Sequence, residues 1–277
     1  MGHTTLGVLP RTRYWKEVVE LLAGPTPNSE VFAASARAAE KDLLRATDDP
    51  VFIEAVRLLL AIPAAARAQD FGDALRTQDI LVTNRPELLD IVTAVTRRLD
   101  QVRATKGGDS DLGELAARAL TATLVTSIGD ALPGLFDATP EDVQAVARKL
   151  SWNKSVSEYS RSFFGNLAAG TLAYWLDRTL DREIGDGHRF ADVAARNAFQ
   201  SELEEFAWES SRIIREFSGG WYGKTLHRDG EFSSLAAARF GHVSLKKIVD
   251  DLRTRQVRHG RVSDPCRRET GANTGAI

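Results

Sequence analysis

The first candidate for a chemically active site is the segment Ser218–Thr225, which reads SGGWYGKT. The ending Gly-Lys-Thr is typical of a phosphate-binding loop, in which backbone amides and a lysine hold phosphate groups. The full motif needs a glycine five residues before Gly223, and this chain has Ser218 there. The motif must also follow a buried strand and open a helix, whereas here it follows a helical pattern. We therefore expect neither nucleotide binding nor any other cofactor.

Histidine and acidic residues give no compact catalytic or metal-binding motif. The five histidines are too dispersed to place two metal ligands on one helical turn. The glutamates near residue 205 lack the Glu-x-x-His pairs of a carboxylate-bridged metal centre, so they indicate a solvated helix face. We predict no metal site and assign no catalytic residue. One enzymatic alternative stays open, a dispersed site built from His188, His227, Glu205 and Lys224.

Aromatic and basic residues in the second half of the chain are candidates for contact with a protein partner. Tryptophan, tyrosine and arginine concentrate binding energy at protein interfaces, and loops often carry such contacts. Because the segment near residue 221 is rich in glycine, we expect an exposed loop there. The predicted partner-binding residues are Trp221, Tyr222, Lys224, Arg215 and Arg212.

The C-terminal part of the chain is basic. Between Lys246 and Arg268 there are eight lysines and arginines and three aspartates. Such a stretch can bind a phosphate backbone without reading base sequence, although it lacks interleaved aromatic residues for base stacking. The candidates for nucleic-acid contact are Lys246, Lys247, Arg253, Arg255, Arg258 and Arg261.

Composition is that of a globular protein. Of 277 residues 43% are hydrophobic and 27% charged, the net charge is −2, and the single cysteine, Cys266, excludes a disulfide within one chain. The beginning of the sequence lacks the apolar run of a secretory signal, so we expect a cytoplasmic protein. The most apolar stretch, Phe163 to Leu176, is shorter than a membrane span and indicates protein core, so we expect no stable membrane insertion.

We expect the segment from Trp152 to Leu180 to be the element on which the rest of the fold is built. Val156, Tyr159 and Phe163 begin one apolar stripe at helical spacing, and Phe164 and Ala168 begin a second stripe beside it. Two adjacent stripes predict a helix that neighbouring helices cover on most sides. Glycines inside such a helix indicate that another element approaches it closely.

The whole pattern predicts an all-α fold. We expect a bundle-like array of about eight to ten helices around this central helix, with one small hairpin or ordered loop near residues 219–231. A long helix should run from residue 191 to 217 and stop at Gly219, and the last helix should end near Arg255. The linker-like segment 106–110 suggests an N-terminal part, 1–105, packed as one unit with a C-terminal part, 111–257, before a disordered basic tail, 258–277.

These observations favour a protein that binds other macromolecules over one that catalyses a reaction. The leading hypothesis is a non-enzymatic interaction or scaffold subunit of a cytoplasmic multi-protein assembly. The first alternative is an accessory factor that contacts nucleic acid through the basic C-terminal region, and the second is an enzyme with the dispersed site given above. The pattern predicts neither the partner's identity nor the oligomeric state.

Overall fold

A computed structural model describes residues 12–106, 111–134 and 137–262. Beyond Leu252 it describes the backbone alone, and the side chains of Asp42 and Ala46 lie outside the description. Ten helices of eleven or more residues and one six-residue helix account for most of the described chain, which contains no strand. The predicted all-α array is confirmed.

Six helices form the first half of the described chain. They are α1 (Arg13–Ala23), α2 (Asn28–Arg45), α3 (Pro50–Ala65), α4 (Phe71–Arg76), α5 (Leu88–Lys106) and α6 (Asp111–Leu124). Several of these helices start at residues whose side chains can cap a helix. Thr12 accepts a hydrogen bond from the amide of Trp15, and Asp49 accepts bonds from the first-turn amides of α3. These caps satisfy amides that have no partner within their own helix.

Five helices form the second half, namely α7 (Pro140–Leu150), α8 (Asn153–Leu180), α9 (Val193–Ser210), α10 (Ile214–Asp229) and α11 (Ser234–Val262). Thr139 and Asp142 form a reciprocal capping box at the start of α7, as the sequence Thr-Pro-Glu-Asp predicts. A π-helical turn, Val125–Gly129, follows α6. A loop containing Arg189 connects α8 to α9, and its guanidinium donates hydrogen bonds to the turn between α1 and α2.

Helix α8 is the central helix that the two apolar stripes predict. Tyr159, Phe163, Phe164 and Leu167 are all at most 1% exposed, and α6, α9 and α10 all pack against the helix. No helix in the described part of the chain is long and apolar enough to cross a bilayer. The apolar stretch from Phe163 to Leu176 is part of α8 and packs inside the protein.

The prediction of a hairpin or ordered loop near residues 219–231 is wrong. Residues up to Asp229 belong to α10, which ends at Gly230 in a left-handed conformation with φ 74°. Gly219 does not end a helix but lies within one, and its amide donates to Ser157 Oγ at 3.1 Å. The chain instead breaks between α9 and α10, at the short 3₁₀ turn Ser211–Ile213. Of the glycines that suggested a loop, Gly219 lies against α8 and allows α10 to pass close to it.

The C-terminal helix is longer than predicted. Its backbone continues to Val262, so residues 258–262 of the segment predicted to be disordered are helical, and residues 263–277 lie outside the description. Helices from both predicted parts pack together, since α3 contacts α6 and α11. The division into parts itself stays a prediction.

A buried ion network joins α3 to α5. Glu54 is 3% exposed and accepts hydrogen bonds from Arg57 and from Arg98, at 2.8 Å and 2.7 Å. Arg57 also donates to the backbone carbonyl of Gln78, which fixes the loop after α4. Burial alone would raise the pKa of Glu54, but the hydrogen bonds and charges of the two arginines together lower it. This carboxylate is therefore held ionised inside the helical array.

Candidate functional site

The best candidate for a functional site is an open groove of about 820 Å³ between α6, α8 and α9. Helix α8 forms its floor, α6 forms one wall and α9 forms the other. The lining residues that carry the argument are Ala122, Gly165, Ala169, Asp177, Glu204 and Trp208.

The floor of the groove exists because α8 has small residues on this side. Gly165, Ala169 and Ala173 follow one another at a spacing of four, so they lie above one another on the same helical face, with Gly170 beside them. From Gly165 to Asp177 the floor is about 18 Å long at 1.5 Å per residue. Leu115 and Arg118 of α6 stand on one side of the floor, and Glu204, Glu205 and Trp208 of α9 stand on the other.

Helices α6 and α9 both run antiparallel to α8, so the groove has two distinct ends. Asn166 of α8 donates to Thr123 of α6 at 3.1 Å, near the end of α6. Gly165 lies against Trp208 of α9, whereas Asp177 lies 3.1 Å from Arg196 near the start of α9. We call these the Trp208 end and the Asp177 end.

The Trp208 end presents a partly exposed aromatic ring in a fixed position. A Cβ atom at Gly165 would lie 2.6 Å from Cε3 of Trp208, so only glycine leaves room for the ring. The guanidinium of Arg161, itself 8% exposed, packs against the ring at 4.5 Å from its centroid. Burial, followed by the charges of Arg215 and Arg212, lowers the pKa of Arg161, with Glu158 and Glu209 acting in the opposite direction. Trp208 keeps 36% of its surface exposed.

The Asp177 end is acidic. Burial raises the pKa of Asp177, the charges of Asp181 and Glu204 raise it further, and the salt bridge to Arg196 compensates only in part. Burial, a hydrogen bond to Asp111 and the charges of Asp111 and Glu114 raise the pKa of Tyr174 to about 12. Burial is the largest cause of both shifts, and the neighbouring carboxylates add to it.

The residues predicted to contact a partner are not on an exposed loop. Tyr222 is 2% exposed and stacks on Phe232 with 5.0 Å between ring centroids, and burial raises its pKa. Trp221 is half-buried and stacks on Phe240 at 4.5 Å. The predicted exposed loop is wrong, because the glycine-rich segment is helical and both rings pack against the core. A role of Trp221 and Tyr222 in binding a partner stays a prediction.

The three charged partner candidates lie on the surface. Lys224 is exposed on α10, Arg212 forms a salt bridge to Glu209 at 3.1 Å, and Arg215 forms one to Glu158 at 2.9 Å. Their role in binding a partner stays a prediction.

The basic candidates for nucleic-acid contact are described only in part. Lys246 is exposed, and the ammonium of Lys247 lies 5.5 Å from the ring centroid of Phe217. The side chains of Arg253, Arg255, Arg258 and Arg261 lie outside the described residues. Nucleic-acid binding stays a prediction.

The dispersed enzymatic site has no shared cavity to support it. His188 lies on the loop before α9 and borders a second cavity, Glu205 lines the groove, and His227 is exposed on α10 with Lys224. Within residues 12–106, 111–134 and 137–262, no three histidine, cysteine or acidic side chains are grouped as metal ligands.

The chain matches no known protein family, and neither curated proteins nor solved structures show significant similarity to it. Functional inference therefore depends on the groove itself. Sequence reasoning missed it, although Gly165, Ala169 and Ala173 carried a signal in their spacing of four. Glu204 and Glu205 were predicted to be a solvated face, and the structure places both along the groove.

Proposed function

We propose that the protein is a non-enzymatic interaction module that binds a helix of another protein in the groove between α6, α8 and α9. The observation that supports this most directly is the floor of small residues on α8, which leaves an open channel of about 820 Å³ between three helices. Helices bind in such grooves by laying one face against the floor.

The dimensions suit a helix of about three turns. The floor is about 18 Å long, which corresponds to about twelve helical residues at 1.5 Å each. Small residues at spacing four let a second helix approach closely, and interhelical distances of about 8 Å require such contacts. Trp208 supplies an aromatic side chain of the type that anchors protein interfaces.

A small-molecule substrate is less well supported. Catalytic pockets bring several polar groups with altered pKa values toward one point. Here Asp177 and Tyr174 lie at one end, and the floor between them and Trp208 is mainly Gly165, Ala169 and Gly170. The floor is a long surface of small residues, with Gln200, Ser201, Glu204 and Glu205 along the α9 wall, and this elongated shape suits a bound helix better than a small substrate.

The test is to fill the groove without disturbing the core. Ala122 is exposed on the α6 wall, so Ala122→Leu narrows the channel while leaving buried residues unchanged. The matched control is Ala145→Leu, an exposed alanine on α7 that does not line the groove. Tagged full-length protein should retain a partner from its native lysate. The control Ala145→Leu should retain the same amount of partner, and Ala122→Leu should retain at least tenfold less. Equal retention by both variants would exclude the groove as the binding site.

A further inference from the structure

The surface where α8 begins is formed by two segments without acidic residues. Residues 143–157 run from α7 into α8, and residues 217–228 belong to α10. Neither segment contains an aspartate or a glutamate, although the chain has 38 of them among its 277 residues. The two segments meet because Gly219 of α10 packs against Asn153 and Ser157 of α8. We call the exposed residues of these two segments the α8-start surface.

Basic side chains give this surface positive charge. Its exposed charged residues are Arg148, Lys149, Lys154, Lys224 and Arg228. Arg148 donates to the backbone carbonyl of Ala66, a neutral acceptor that leaves its charge uncompensated. Within the described residues, the three lysines form no salt bridge. The start of α8 adds to the positive charge, since its first turn has no acidic residue and no side-chain cap.

The carboxylates around the α8-start surface do not cancel this charge. Glu158 accepts a hydrogen bond from Arg215 at 2.9 Å, and Asp229 accepts one from Arg228 at 2.7 Å, so each is paired. Glu216 remains with Glu231, against Arg148 and the three lysines. The acidic residues near the start of α7 lie at its opposite end: Asp70, Glu141 and Asp142. An anionic ligand therefore meets net positive charge at the α8-start surface.

Trp152 places an accessible aromatic ring among these cations. It is 62% exposed, more than any other aromatic side chain in the part of the chain that the structure describes. In the chain it lies between Lys149 and Lys154, and the next residue packs against α10. The space along α10 is open as well, because a Cβ atom on Gly220 or Gly223 would have no atom within 4 Å. The surface therefore offers a ring face beside lysines that have no carboxylate partner.

We propose that the α8-start surface binds single-stranded nucleic acid, with an unpaired base stacked on Trp152 and phosphates held by Lys149 and Lys154. Proteins that bind single strands combine aromatic rings, on which bases stack, with basic side chains that contact the backbone. Bases inside a duplex stack on one another, so only an unpaired base can cover the ring. An acidic peptide would pair with the lysines but carries no base to cover the tryptophan.

The α8-start surface is separate from the groove and from the predicted C-terminal candidates. Trp152 precedes Gly165 by thirteen residues, about 20 Å along α8, so nucleic-acid binding here does not depend on the proposed function. Lys246 lies on α11, outside both segments, and is exposed. Its substitution therefore distinguishes this surface from the C-terminal region.

Binding of a labelled fifteen-nucleotide oligothymidylate to the full-length protein, measured by fluorescence anisotropy, tests the proposal. Trp152→Ala should weaken binding at least tenfold, because one stacked base is lost. Trp152→Phe should retain most of the affinity, since phenylalanine also stacks, but it should remove the quenching of tryptophan emission on binding. Lys149→Gln and Lys154→Gln should each reduce the slope of log affinity against log salt by about 0.7. The control Tyr14→Ala, which removes an exposed ring on α1, should change neither affinity nor slope.

Other outcomes would overturn the proposal in distinguishable ways. Unchanged affinity of Trp152→Ala, or equal affinity of the wild type for a duplex of the same length, would exclude stacking of an unpaired base on this ring. A glutamate-rich peptide that bound as tightly, with the same loss in Trp152→Ala, would identify an acidic protein segment as the ligand. Weaker binding by Lys246→Gln, with no effect of Lys149→Gln and Lys154→Gln, would assign the site to α11. No binding by the wild type would reject the proposal outright.

Discussion

Replacing Gly219 with alanine should destabilise the protein, although alanine is the better helix former. Helix α10 crosses the start of α8 at this point. A Cβ atom on Gly219 would lie 2.4 Å from the carbonyl oxygen of Asn153 and 2.7 Å from Ser157 Oγ. The carbonyl belongs to the backbone and cannot rotate away, so α10 must move.

The expected magnitude follows from three opposing contributions. Overpacking of a close contact costs about 1–3 kcal/mol, and loss of the hydrogen bond from the Gly219 amide to Ser157 costs about 1 kcal/mol. Replacing glycine with alanine inside a helix stabilises the helix by about 1 kcal/mol. Gly219→Ala should therefore lower the free energy of unfolding by about 1–3 kcal/mol.

The same helix provides matched controls. A Cβ atom added to Gly220 or to Gly223 would have no neighbouring atom within 4 Å, so alanine at either residue should raise stability by about 1 kcal/mol. Urea unfolding of the three variants, followed by circular dichroism, measures these differences. A Gly219→Ala protein as stable as the wild type, or strong destabilisation by Gly220→Ala, would refute the assigned packing of α10 on α8.

Three further substitutions test other parts of the structure. Glu54→Gln should cost about 3–5 kcal/mol in urea unfolding, because it leaves the buried charge of Arg57 without its carboxylate partner, although Arg98 keeps its salt bridge to Asp79. Glu141→Gln, which removes an exposed carboxylate, should leave the urea midpoint almost unchanged. Since the pKa of Glu54 is lowered, its contribution should be present above the ordinary glutamate pKa and be lost as pH falls through the lowered value. Asp177→Asn should raise the urea midpoint at pH 7 and lose this effect below the ordinary aspartate pKa, because a raised pKa makes the ionised form unfavourable to folding. Thr139→Ala should cost about 1 kcal/mol by removing the cap of α7, and an unchanged midpoint would show that the capping box contributes nothing.

Periodicity and capping residues predicted the central helix well. The paired stripes that begin at Val156 and Phe164 identify a helix covered on most sides, and the Thr139 cap marks the start of α7. Both signals are local, since they depend on residues within a few turns of one another. Local signals are the ones that a single sequence carries most reliably.

The glycines of α10 caused the main error in the predicted fold. Local propensity treats Gly219, Gly220 and Gly223 as a loop, because each weakens a helix. In the structure, Gly219 lies where the backbone of α8 leaves no room for a side chain. That requirement comes from a residue 66 positions away in the chain and has no local signature. Tertiary packing therefore outweighs propensity here.

The groove could not be predicted for a similar reason. The small residues Gly165, Ala169 and Ala173 are visible in the sequence, but whether a neighbouring helix fills the space above them depends on the placement of α6 and α9. The acidic residues of α9 likewise form a solvated face by pattern alone. Only the packing of α9 beside α8 places Glu204 and Glu205 along the wall of a groove.

The most direct test of the account is the affinity of a labelled fourteen-residue alanine–leucine helical peptide, with blocked termini and two lysines for solubility, for three proteins: the wild type, Ala122→Leu and Ala145→Leu. We predict that filling the groove at Ala122 weakens binding at least tenfold, while the same change at Ala145 leaves the dissociation constant unaltered. Equal affinity for all three proteins would contradict the assignment of the groove as a helix-binding site.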